Sequence, residues 1–135
     1  MSISIFILFL ISNTLFLIRI REDATNWAGF YFRCCEDQLK LGPFCGEPAC
    51  QLLRFNKGVC GAAARDKKTL LVEDVHDFPG HVACDERSNS ELVVPIFFSP
   101  KGKSPMVIGV LGNGQDIQTL VTEFKAYIYD RKPVE

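Results

Sequence analysis

The stretch NWAGFYFRCCEDQLKL, residues 26–41, decides the fold class. Trp27 to Phe32 is an aromatic run bounded by polar residues, the composition of a β-strand. Glu36-Asp37-Gln38 predicts a turn, and Leu39-Lys40-Leu41 begins a strand returning beside the first. Downstream, Gly42-Pro43-Phe44-Cys45-Gly46-Glu47-Pro48 predicts an irregular segment, because its glycines and prolines break a ladder. Ala49 to Phe55 predicts a strand with Cys50, Leu52 and Arg54 on one face and Gln51, Leu53 and Phe55 on the other. After a turn at Asn56-Lys57-Gly58, Val59 to Arg65 predicts a short helix whose small residues permit close packing on a sheet. Further strands are expected at Thr69–Val72, Glu91–Phe98 and Met106–Leu111, with a turn at Gly112-Asn113-Gly114. Ile117, Leu120, Val121, Phe124 and Ile128 recur at the spacing of an amphipathic helix. Hairpin-joined strands with a few helices make an α+β domain on an antiparallel sheet.

At 135 residues the chain is at most one domain, long enough to bury one core. Its net charge of −1 gives no basic patch for a nucleic-acid partner. Six cysteines, Cys34, Cys35, Cys45, Cys50, Cys60 and Cys84, are compatible with a disulfide framework. The abundance of Phe, Leu, Ile and Val argues instead for a core that needs no staples, and no C-x-x-C pair marks a structural zinc site. Residues 1–21 stand apart from the rest. The apolar run from Ile3 to Ile18 would form a helix of ~24 Å, short of a ~30 Å hydrocarbon core. It reads as a membrane anchor, a buried or interfacial helix, or a gene-model artefact foreign to the domain. Residues 22–135 form the domain itself.

Asp74 to Pro95, DVHDFPGHVACDERSNSELVVP, gathers two histidines, a cysteine and several acids around a Phe-Pro-Gly turn. Cys84 is the candidate reactive thiol; alone, it would read as a small buried hydrophobe. An ordinary thiol is mostly protonated at neutral pH, so it needs a helper, which His81 or His76 could supply. His76, His81 and Cys84 lack a clear fourth ligand, so no metal site is expected.

NWAGFYF (26–32), LGPFCGEPAC (41–50), GVCGAAA (58–64), VEDVHDFPGHVACD (72–85), SNSELVVPIF (88–97) and IGVL (108–111) together resemble the free methionine-(R)-sulfoxide reductases. The match covers residues 26–111 and keeps the family's order. It implies a GAF-like antiparallel β-sheet with flanking helices, here missing or altered at both ends. It also implies thiol-dependent reduction of free methionine (R)-sulfoxide, with no bound cofactor and thioredoxin as external reductant. A cytoplasmic homodimer acting against oxidative stress follows from the same resemblance, the alternative location being a membrane tether through residues 3–18. By this resemblance Cys84 is the nucleophile and Cys50 or Cys60 supplies the resolving thiol, whereas Cys34, Cys35 and Cys45 match no family cysteine. Glu91 would hold the substrate ammonium or help protonate the sulfoxide. Trp27 and Tyr31 would form an aromatic wall, and Asp74 would line the pocket, the alternative being an exposed turn acid. The family's Asp-x-Asp pair aligns with Gly112 and Gly114, and Asp116 lies two residues beyond. That departure favours an alternative, a catalytically weakened GAF-fold module that binds a small ligand or senses redox state.

Overall fold

The aromatic run seeds the central strand. In a computed structural model that describes residues 10, 11, 13, 25–80 and 88–115, β1 spans Thr25–Cys35 and turns at Glu36 and Asp37 into β2, Gln38–Cys45. β3 (Leu52–Arg54), α1 (Gly58–Asp66) and β4 (Leu70–Val72) follow. A 3-10 turn at Val75–Asp77 precedes β5 (Ser90–Phe98) and β6 (Met106–Gln115). The strands form one antiparallel sheet in the order β3-β2-β1-β6-β5-β4. Cys84, His81, the helix expected at 117–128 and nearly all of the apolar run lie outside the described residues. Among the described residues, no helix is long and apolar enough to cross a membrane.

One face of the sheet receives α1. Trp27, Tyr31, Leu39, Leu53, Val93, Val107 and Val110 are buried there with Val59, Cys60, Ala63 and Ala64 of the helix. The small residues matter because the helix sits so close. A Cβ added at Gly61 would lie 2.3 Å from the Arg54 carbonyl oxygen. The helix expected at 59–65 and the strands at 69–72, 91–98 and 106–111 are thus present, within a residue or two at most ends.

Three local expectations are corrected. The segment from Gly42 to Cys45 belongs to β2. A register shift between Gly29 and Tyr31, which face Phe44 and Leu41, absorbs the extra residue as a bulge that tolerates Gly and Pro. The stretch 49–55 is strand only over Leu52–Arg54, where Leu53 points inward and its neighbours outward, and Cys50 precedes it. Gly112-Asn113-Gly114 does not turn. It continues β6, held by β1 on one side and β5 on the other. Pro95 is accommodated because β4 pairs with β5 only as far as Val93, leaving that edge open.

Candidate active site

Register places the side chains of the site. In an antiparallel ladder, directly paired residues share a face. Trp27 pairs with Gly114, and Gly114 with Glu91, making one cross-strand row on the α1 face. The neighbouring row is Gly29, Gly112 and Val93. Because three positions of these rows, Gly29, Gly112 and Gly114, carry no side chain, the sheet surface is hollowed beneath the start of α1. The resulting open-mouthed pocket has about 490 Å³ of empty space, its mouth and the solvent in it included. Trp27, Tyr31, Cys60, Ser88 and Glu91 are among its walls.

The aromatic wall is built as a stack. Trp27 lies 5.9 Å from Tyr31 and 6.1 Å from Phe44, centroid to centroid. Gly29 makes room for it, since a Cβ there would meet the indole at 2.4 Å. The indole Nε1 is buried and has no hydrogen-bond partner among the described residues. Tyr31 donates its hydroxyl hydrogen to the Cys50 carbonyl at 2.8 Å. Burial, with smaller contributions from Cys60 and Glu91, raises the phenol so that it stays neutral.

Glu91 is the single carboxylic acid among the described lining residues. Burial pushes it up from 4.5 to about 7. Such a group is close to half protonated at neutral pH, a poise suited to proton transfer. Cys60 faces the same space from α1 and is 9% exposed. Burial first, and then Glu91, raise its thiol well above the ordinary value, so it is a poor nucleophile. Cys50 is disulfide-bonded, while Cys34, Cys35, Cys45 and Cys60 are free.

Asp74 is not among the described lining residues. It caps the 3-10 turn, accepting from the His76 backbone N–H at 2.9 Å and lying 2.8 Å from the ring Nδ1. Those bonds, the ring contact first, hold its carboxyl below the usual range. The same turn fixes the approach to residues 81–87. Val75 N–H donates to the Asn89 carbonyl at 2.9 Å, and Gly58 N–H to the Gly80 carbonyl at 2.8 Å. Ser88, on the other flank, is buried in the pocket wall and accepts a hydrogen bond from Asn26 Nδ2 at 2.9 Å. Both flanks of that segment are therefore pinned at the pocket rim.

Ser88, Gly58 and Val59 are pocket residues that sequence reasoning missed. The signal for the helix was its lack of a capping side chain. Lys57 provides none, so the first-turn N–H groups of Gly58, Val59 and Cys60 depend on other partners. At Gly114 an added Cβ would come 2.3 Å from Ser88 Oγ, so the serine hydroxyl occupies the space a side chain would need.

A six-stranded antiparallel sheet, with a helix on one face and a small-ligand pocket between them, defines a GAF-type domain. A solved GAF-domain structure is 40% identical with a TM-score of 0.70, over 87% of this chain and 70% of that one. A Staphylococcus aureus fRMsr structure in complex with substrate is 38% identical, TM-score 0.67, over 89% of this chain and 79% of that one. A Saccharomyces cerevisiae free methionine-R-sulfoxide reductase is 53% identical over 87 residues, 63% of this chain and 48% of the relative. The chain belongs to the free methionine-R-sulfoxide reductase family. It spans about half the length of the curated relatives it matches. No protein-family model matches it.

Proposed function

We propose that this chain reduces free methionine (R)-sulfoxide to methionine, with Cys84 as nucleophile, Cys50 as resolving thiol and Glu91 as proton donor. The observation that carries the reading is Glu91, an acid raised to about 7 in a pocket shared with Trp27 and Tyr31. Cys84 lies four residues from Ser88, within ~14 Å of the pocket wall at full extension. Its thiolate attacks the sulfoxide sulfur while Glu91 protonates the departing oxygen. The hydroxysulfurane so formed passes its hydroxyl to Cys84 Sγ as the new S–S bond breaks, so methionine leaves and Cys84 keeps the oxygen as a sulfenic acid. The Cys50 thiol then condenses with it, forming a disulfide and releasing water. An external dithiol such as thioredoxin restores both thiols by exchange. The disulfide at Cys50, beside a buried and protonated Cys60, supports Cys50 as the resolver. The aromatic wall receives the methyl sulfoxide, and the uncapped start of α1 offers N–H groups to the substrate carboxylate.

The test is thioredoxin-coupled turnover of free methionine (R)-sulfoxide by the full chain. Cys84→Ser should abolish it. Cys50→Ser should stop after one methionine per chain, leaving a sulfenic acid that dimedone captures. Turnover that survives Cys84→Ser refutes the mechanism.

A second reading is favoured by Gly112 and Gly114. With one carboxyl among the described walls, an ammonium is poorly compensated, which suits a GAF module that binds a ligand without turning it over. Folded chain that shows substrate-dependent thermal stabilisation but no turnover would establish this reading.

A further inference from the structure

Cys34 and Cys35 end β1, away from the pocket. Successive strand residues ordinarily point to opposite faces, which keeps adjacent side chains apart. Here the pairing slips between Arg33 and Cys35, so that Arg33 faces Leu39 and Cys35 faces Gln38. At this irregularity the two sulfurs approach to 3.6 Å. Gln38 holds the pair from across the hairpin. The Cys35 thiol donates to its Oε1 at 3.3 Å, and the Cys34 thiol to its carbonyl at 3.7 Å. Both thiols are free and exposed.

Two facts restrict what such a pair can bind. A disulfide between adjacent residues is strained, because Cα atoms ~3.8 Å apart across a trans peptide fall short of the ~4.4–6.8 Å that bridges usually span. Among the described residues no group of three or more metal-ligating side chains occurs, so a four-coordinate zinc site lacks ligands here. A soft centre that needs only two sulfur ligands has neither problem.

We propose that Cys34 and Cys35 form a chelating dithiol site for trivalent organoarsenicals of the type R–As(OH)2. Each thiol proton leaves with an arsenic-bound hydroxide as water. Two S–H and two As–O bonds are thereby replaced by two As–S bonds, and arsenic keeps its oxidation state. The contact with Cys34 is the first cause raising the Cys35 thiol, so its proton is in place at neutral pH.

The probe is phenylarsine oxide, which hydrates to this form, added to the folded full chain and followed by excess 2-mercaptoethanol. Trypsin releases Cys34–Lys40 as a peptide with no other cysteine, since Arg33 and Lys40 flank it. One phenylarsenic group should remain on that peptide after the monothiol wash and be removed by 2,3-dimercaptopropanol. Cys34→Ser and Cys35→Ser, both at exposed positions, should each lose it. Retention by the folded chain should be roughly tenfold tighter than by the urea-unfolded chain, as preorganisation requires. An adduct stripped by the monothiol, kept by either single variant, or held equally by the unfolded chain would overturn the proposal.

Discussion

Glu91→Gln tests the pocket through stability as well as chemistry. Burial raises this carboxyl from 4.5 to about 7, so the folded protein holds its proton more tightly than the unfolded chain. The resulting stabilisation is fully present below pH ~4.5 and is lost as pH rises through about 7. At 1.36 kcal/mol per pH unit, the full effect is ~3 kcal/mol. Glu91 keeps some solvent access, which reduces it to on the order of 2 kcal/mol. Glutamine retains the size and polarity of a protonated glutamic acid but cannot ionise. The variant should therefore match the unmutated chain near pH 4 and exceed its stability by ~2 kcal/mol at pH 8. Urea titrations followed by the fluorescence of Trp27, the sole and buried tryptophan, would measure the difference. Under the proposed mechanism, turnover should fall about 10²–10⁴-fold in the variant. For the unmutated chain it should decline as pH passes 7. Parallel stability profiles for the two proteins would refute a buried, proton-holding Glu91.

Tyr31→Phe removes the hydroxyl that anchors the Cys50 carbonyl; chemical denaturation should show a loss of about 1–2 kcal/mol, with slower closure of the Cys50 disulfide after substrate addition. Gly61→Ala forces a methyl group against the Arg54 backbone oxygen, so thermal unfolding should report a loss of roughly 3 kcal/mol or more as α1 is pushed off β3. Gly114→Asp should bind free methionine (R)-sulfoxide no better than the unmutated chain, because Ser88 Oγ holds that space; combining it with Ser88→Ala should improve affinity by about tenfold or more in calorimetry. Simple additivity of those two substitutions would show that Ser88 does not control the position.

Local pattern was a good guide wherever the local and tertiary preferences agreed. Trp27 and Tyr31 in the aromatic run of β1 and the small residues of α1 are visible in the chain because burial on one face demands them. Gly42-Pro43 and Gly112-Asn113-Gly114 misled for one shared reason. Turn chemistry describes what a segment prefers alone, whereas partner strands hold both segments extended. Asp74 reads equally as a pocket carboxylate or an exposed turn acid in the sequence, because a carboxylate two residues before His76 can cap its own turn, as it does here.

Hydrophobic periodicity, a local property, determined the antiparallel α+β class, and the resemblance around the cysteines implied Glu91 and Trp27 as candidates. Only the tertiary structure decided that Trp27, position 114 and Glu91 form one row, because strand register depends on pairing between segments far apart in the chain. The same holds for the carboxyl poised near neutrality, which requires the desolvation that α1 and the sheet create together. It holds too for Cys34 and Cys35, whose sulfurs meet where the hairpin pairing slips.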